Sequence, residues 1–291
     1  HANRTYLFTP GNHARRVEKA LQLNADVVIL DLEDAVAVAE KVATRAIIKE
    51  TLAKPKQCAV YVRANSYDTE YCYGDLSGVF GKDLDGIVLP KLESADDLKS
   101  VESVMTDLER EHGLEPGSVD LMPIIETAKG ADAVREIAQT KSRIKRLSLG
   151  GGDYTRDLGI EWTHDELALL PIRSEIVLAS RLGELEPPID TVFLHIKEHD
   201  AYRESCSRAR GLGFQGKLCI HPDQVDRTND VFTPTEEVVT WSRKIVAEFE
   251  KAEKDGIASI QVDGYFVDYP IVVKAQRALN TIDLLKSLGK A

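Results

Sequence analysis

Four cysteines in 291 residues are too few to staple a fold, and Cys58, Cys72, Cys206 and Cys219 form neither a C-x-x-C pair nor a zinc spacing. Three of them stand in or beside apolar runs, so reduced, buried thiols in a reducing compartment are expected. Positive charge is also short: 37 Lys and Arg face 48 Asp and Glu, a net charge of −11. That balance disfavours general nucleic-acid binding, which needs many phosphate-neutralising cations. It leaves room for a small anionic ligand, because a local field can oppose the net charge. Long apolar runs are missing as well. The longest are strand-sized, as in Val27-Val28-Ile29-Leu30, so no membrane span is expected. No signal-like leader opens the chain, which starts at His1 without a Met, as a processed or added end would. These absences together predict a cytoplasmic protein. A Gly-x-Gly-x-x-Gly fingerprint is absent after the first strand-like run, which counts against a doubly wound dinucleotide fold. Internal repeats and low-complexity segments are absent too.

What is present is an ordinary globular composition, 43% hydrophobic and 29% charged, in a chain long enough to bury a large core. Short β-rich runs alternate with longer amphipathic stretches, the pattern of parallel βα units. Strands are expected at Tyr6–Thr9, Asp26–Leu32, Ala59–Ala64, Gly86–Leu89, Leu121–Ile125, Arg146–Leu149, Asp190–Leu194 and Lys217–Ile220. Helices are expected between them, among others over Val38–Leu52, Ala95–Glu111 and Asp165–Leu182. In the first of these, Val38, Val42, Ile47 and Ile48 form the apolar stripe, while Glu40, Lys41, Lys49 and Glu50 face water. Eight such units fit an α/β fold of the (β/α)8 barrel type. The eighth helix is read from the capping box Thr233-Pro234-Thr235-Glu236 to about Lys254. Beyond Gly256 the pattern changes. Ile257–Val267 reads as a hairpin turning at Asp263-Gly264, and Pro270–Leu288 as a last helix. The expected organisation is a barrel over 1–256 and a C-terminal hairpin-plus-helix lid over 257–291, which covers the barrel mouth or packs on another subunit.

Catalytic groups of such barrels stand where strands end, and here almost every strand end carries a polar or ionisable residue. The second delivers Asp31, Glu33 and Asp34, the third Arg63, the fourth Lys91, the fifth Glu126, and the sixth Gly150-Gly151-Gly152-Asp153. Glu126 and Asp153 end adjacent strands, and an oxygen-only pair suits Mg²⁺ better than zinc. Their structural alternatives are a salt bridge from Glu126 to Lys91 and a cap on the following turn by Asp153. Arg63, after an apolar strand, needs an anion. It either holds a carboxylate or enolate oxygen, or pairs with Asp31 or Glu33. The acidic trio either holds metal-bound waters or neutralises Arg63 and Lys91. The glycine run offers amides to an anion or is a plain turn. His195 and His221 read as structural. His13, Arg15, Arg16 and Lys19 are a solvated face or a counter to a phosphorylated ligand. Asp268 is locally a helix N-cap candidate and nothing more.

Taken together, these residues resemble the citrate lyase β-subunit-like branch of the HpcH/HpaI aldolase group, which includes malyl-CoA and citramalyl-CoA lyases. The resemblance rests on Arg4-Thr5-Tyr6-Leu7-Phe8-Thr9-Pro10-Gly11, Val28–Val36, Val62-Arg63-Ala64-Asn65 and Gly86–Lys91. It continues through Pro123–Thr127, Gly150–Tyr154, Gly216–Pro222 and Val267-Asp268-Tyr269-Pro270. It implies a TIM-type barrel, Mg²⁺ on Glu126 and Asp153 with Mn²⁺ as a substitute ion, and Arg63 at the reacting carbonyl. Glu33 and Asp34 would serve the metal's waters. Arg4, Arg16, Lys91, Gly151 and Gly152 would meet substrate or the coenzyme A tail. It further implies a homotrimer in which Asp268 of one subunit completes its neighbour's site as acid/base. The implied reaction splits a 3-hydroxyacyl-CoA into acetyl-CoA and a 2-oxo acid, or runs in reverse.

The chain departs from the family pattern where Gly152 replaces an acidic residue and His195 replaces Asp, which leaves the acyl group open. Two rival functions are a citrate lyase β subunit acting with partner subunits on a carrier-bound citryl thioester, and a coenzyme A-independent Mg²⁺ aldolase of 2-oxo acids. A full lid bearing Asp268 favours a self-sufficient enzyme over the first. Ala35 after the acidic pair, where such aldolases carry His, counts against the second.

Overall fold

The computed structural model describes residues 1–290; Ala291, the last residue of the expected lid, lies outside the described residues. The chain divides into two compact units, one of residues 1 and 3–229 and one of residues 2 and 230–290.

The first unit is a closed barrel of eight parallel strands in sequential order. Its first half runs β1 (Thr5–Pro10), α1 (Ala14–Leu21), β2 (Val27–Asp31), α2 (Lys41–Leu52), β3 (Ala59–Arg63), α3 (Cys72–Val79), β4 (Gly86–Leu89) and α4 (Ala95–Glu111). Next come β5 (Asp120–Ile125), α5 (Ala128–Asp132), α6 (Val134–Gln139), β6 (Ser148–Leu149), α7 (Gly151–Leu158) and α8 (Leu170–Leu182). The last units are β7 (Ile189–Asp190), α9 (His199–Leu212), β8 (Gly216–Cys219) and α10 (Pro222–Phe232). The strands are buried on both faces, as parallel strands between a filled interior and a helical coat must be, and this explains their unbroken Val/Ile/Leu runs. Inside, Val27, Ile29, Val88, Met122 and Ile124 pack with Tyr6 and Tyr61. At the N-terminal ends of the strands the Tyr61 hydroxyl donates to Asp120, which also pairs with Arg146, so that end is a satisfied polar plug.

The register sets the functional end. Pro10, Asp31 and Arg63 lie abreast at the C-terminal ends of β1, β2 and β3. Ile125 pairs with Leu149, which carries Glu126 and Gly150 out of the barrel side by side.

Two helices correct the sequence expectations. On α2 the buried face is Lys41, Thr44, Ile48, Thr51 and Leu52, while Val38 and Val42 are 66% and 60% exposed. The helix is therefore rotated from the stripe expected, and Lys41 is inside. The eighth barrel helix is α10, with Gln224, Val225, Thr228 and Asn229 buried. The segment read as that helix is α11 (Glu236–Lys254), capped by the Thr235 hydroxyl rather than by Thr233, and it belongs to the second unit. The expected boundary near residue 256 thus falls at 229/230.

The second unit joins α11 to a two-stranded hairpin, β9 (Ser259–Val262) and β10 (Tyr265–Asp268), and to α12 (Tyr269–Ser287). The hairpin turns where expected: Asp263 and Gly264 have φ of 50° and 81°, the left-handed pair a two-residue turn requires. Ile245, Phe249, Val262, Val267 and Ala275 form its core. Among the described residues no helix is long and apolar enough to cross a membrane and no disulfide is formed; Cys72, Cys206 and Cys219 are buried.

Candidate active site

Asp31 closes the turn after β2 by accepting from the Glu33 and Ala35 amides at 2.9 and 3.0 Å. The same two oxygens take Nε and Nη2 of Arg63, the fork-to-fork geometry that guanidinium and carboxylate favour. Burial pushes the Asp31 carboxyl up, but the Arg63 charge and these bonds outweigh it and hold Asp31 below the usual range. Arg63 also lies over the Phe8 ring, 4.7 Å from its centre, so its plane is fixed from two sides. Its third nitrogen, Nη1, stands 3.0 Å from Glu33 Oε2 as an ion pair. That approach lacks hydrogen-bond alignment, and Glu33 Oε2 is buried without a hydrogen-bond partner. The other oxygen of Glu33 accepts from Lys91 Nζ. Burial raises the Glu33 carboxyl despite Arg63 and Lys91 beside it.

Lys91 follows β4 with φ of 49°, a left-handed conformation that costs a side-chain-bearing residue on the order of 1 kcal/mol. The bend turns its amide toward Glu126 Oε1, 2.9 Å away, while its ammonium reaches Glu33 and lies 3.8 Å from Asp34. Glu126 therefore takes the Lys91 backbone N–H and not the side-chain salt bridge. It is 2% exposed, and its carboxyl is pushed up to about 8. Burial is the main cause, followed by the Glu33 charge; Asp153 adds to the rise while Arg63 and Lys91 oppose it. Next to it, a Cβ at Gly150 would sit 2.1 Å from Glu126 Oε2, so only glycine leaves this carboxylate its place. Asp153 lies in the first turn of α7, where the helix dipole favours an anion, and pairs with Arg156 at 2.6 Å instead of capping the helix.

The rim thus brings together Glu33, Asp34, Arg63, Lys91, Glu126 and Asp153. Glu126 is a buried acid whose charge Glu33 opposes and Arg63 favours, and Asp153 is a second carboxylate whose field reaches it. Among the described residues no group of three or more His, Cys, Asp or Glu is arranged to hold a metal. Two carboxylates with the remaining positions left to water and substrate are the donor set a hard dication such as Mg²⁺ uses, so the residues present fit that ion.

Five expected participants stand elsewhere or differently. Arg4 precedes β1 at the opposite end of the barrel, where its amide, Nε and Nη2 are spent on buried Asp26, so it is no phosphate partner at this rim. The Gly151 amide donates to Thr191 Oγ1 at 2.7 Å and the Gly150 amide to Ile125 O, so two of the three glycine amides are unavailable to an anion. Gly152 is exposed, with Trp162 3.7 Å from where its Cβ would be. Asp268, in the second unit, ends β10 at the N-cap position of α12 but accepts no cap hydrogen bond. Arg16 lies exposed on α1. His195 is exposed beside His164, ring centres 5.3 Å apart.

One participant is absent from the sequence reading. The Lys41 ammonium binds the segments that follow β2 and β3, donating to Leu32 O, Glu33 O and Asn65 Oδ1. Its signal lay in the helix phase, since positions 41, 44, 48, 51 and 52 share one face of α2.

Comparison with known proteins identifies the family. The family described as HpcH/HpaI aldolase/citrate lyase matches residues 4–222. The citrate lyase subunit beta of Leuconostoc mesenteroides subsp. cremoris is 34% identical over 95% of this chain and 92% of its own. A (3S)-malyl-CoA thioesterase of Cereibacter sphaeroides is 34% identical over 96% and 94%. The crystal structure of CitE from Mycobacterium tuberculosis, in complex with magnesium, acetoacetate and coenzyme A, superposes with a TM-score of 0.79. It is 28% identical and covers 96% of this chain and 98% of that one. The chain belongs to the HpcH/HpaI aldolase/citrate lyase family of carbon–carbon lyases.

Proposed function

We propose that the protein is a Mg²⁺-dependent lyase that splits a 3-hydroxyacyl-CoA of the malyl- or citramalyl-CoA type into acetyl-CoA and a 2-oxo acid. The observation that carries this is the buried Glu126 carboxyl at the end of β5, packed against Gly150, with a second carboxylate, Asp153, in the first turn of the helix that follows. Both would hold the ion, which when bound polarises the hydroxyl and carboxylate of the departing 2-oxo acid. Magnesium, acetoacetate and coenzyme A in the Mycobacterium tuberculosis CitE complex support the ligand classes.

Cleavage takes the proton from the substrate hydroxyl to a rim carboxylate, and the freed electron pair becomes the 2-oxo carbonyl. The C2–C3 pair stays with the thioester as an enolate. Arg63, already fixed on Asp31 and Phe8, would stabilise that developing oxyanion through Nη1, the nitrogen that otherwise stands beside Glu33 Oε2. Lys91 keeps the local charge balanced against Glu33. Asp268 would then return a proton to C2, or remove it in the condensing direction. Its carboxylate, spent on no cap bond, is open to that task. We assign it to the barrel of a neighbouring subunit in a homotrimer. The coenzyme A tail would cross the rim near Arg16 and the start of α1.

The thioesterase relatives favour a second reading, in which water attacks the thioester at the same site. Products separate the two. Incubation with malyl-CoA and with citramalyl-CoA should release acetyl-CoA plus glyoxylate or pyruvate, and chelator should stop it. Free coenzyme A with intact malate or citramalate would establish hydrolysis instead. Absence of both reactions from Mg²⁺-binding protein would turn the assignment to a carrier-bound citryl thioester.

A further inference from the structure

We propose that Lys41 is a positioning residue of this site: its ammonium fixes the end of β2 so that the Glu33 carboxylate stands between Arg63 and Lys91. Lysine has three N–H donors, and here each has an acceptor: Leu32 O at 3.0 Å, Glu33 O at 2.7 Å and Asn65 Oδ1 at 2.6 Å. The side chain is buried, and the Tyr71 ring covers the ammonium 5.9 Å away. All three acceptors are neutral. The bonds therefore serve to hold a segment of main chain in place.

The clamp is itself braced. Asn65 Nδ2 donates to Leu32 O and to Asp75, and Arg45 pairs with Asp75 at 2.8 Å. What the clamp holds is the backbone of Glu33, whose carboxylate is shared by Arg63 Nη1 and Lys91 Nζ. Lys91 in turn donates its amide to Glu126. Lys41 thus acts on the reacting groups through Glu33, without touching them. A lysine needed only for packing would not require three aligned main-chain and amide acceptors from two different strand ends.

This inference rests on the acyl-CoA lyase reading, and its test separates the two. Lys41→Met, Glu33→Gln and the double variant would be compared for kcat and KM in chelator-sensitive thioester cleavage. Amide hydrogen exchange over residues 31–36 would be followed in the same proteins. Lys41→Met should lower kcat about tenfold or more with KM within about threefold, and in the Glu33→Gln background cost less than about twofold. Exchange over 31–36 should quicken about tenfold while the other strand ends keep their protection. Equal cost in both backgrounds, or unchanged exchange, would overturn the assignment. If Lys41→Met does not fold, Asn65→Ser removes one acceptor. A smaller loss that vanishes with Glu33→Gln supports the clamp, and a loss independent of Glu33 overturns it. A wild type that cleaves no acyl-CoA refutes the lyase reading alone, and the exchange result then decides the clamp.

Discussion

A carboxyl that keeps its proton to about pH 8 inside a protein destabilises the fold whenever it is forced to ionise, and Glu126 is such a group. Its folded value lies above the ordinary 4.5, so between those limits the folded state holds a proton that the unfolded state has released. Stability must therefore fall as pH rises through that window, by up to about 1.4 kcal/mol per pH unit. Thermal or urea unfolding between pH 5 and 8 in chelator should show a slope that Glu126→Gln removes. Identical slopes in wild type and variant would place the proton elsewhere. The same residue shows how sequence and structure divided the work. That Glu126 and Asp153 end adjacent strands was legible from the order of elements. That Gly150 exists to make room for Glu126, and that Lys91 offers its amide and keeps its ammonium for Glu33, depends on backbone angles no residue pattern encodes.

At the scale of the element, strands with continuous apolar runs were legible, and Gly86–Leu89 is found where the sequence predicted it. Elements that bury polar groups were not. The α10 helix presents Gln224, Thr228 and Asn229 inward, each hydrogen-bonded, so hydrophobic periodicity is blind to it. Val38, just before α2, and Val42 within it imitate a stripe, while the true buried face of α2 includes Lys41 and two threonines. The two readings of α2 agree on Ile48 and part at Val42. Ile48→Ala, at a fully buried position, should cost about 2–5 kcal/mol. Val42→Ala should stay within about 0.5 kcal/mol. Chemical unfolding of both variants checks this, and a large loss at Val42 would restore the expected stripe.

At the scale of the whole molecule, the residues assigned to the reaction are divided: Arg63, Glu126 and Asp153 belong to the barrel unit, Asp268 to the second unit. If Asp268 serves a neighbouring subunit, two inactive variants can repair each other. Asp268→Ala should lose two or more orders of magnitude in turnover and keep Mg²⁺ binding; Glu126→Gln should lose both. Co-refolded in equal amounts they should regain about a quarter of wild-type activity, the share of sites that draw both intact residues. No recovery from mixed oligomers would assign Asp268 to its own subunit's barrel or to no catalytic role.

The dication at Glu126 and Asp153 is the point on which the chemistry depends, and calorimetric titration with Mg²⁺ at pH 7 tests it most directly. Repeated in buffers of different ionisation enthalpy, the titration counts protons. Binding should release about one proton per ion, because the ion displaces the proton Glu126 holds, and Glu126→Gln should abolish that release and weaken binding. Mg²⁺ binding without proton release, or of equal strength in Glu126→Gln, would contradict the assignment of the metal to this pair.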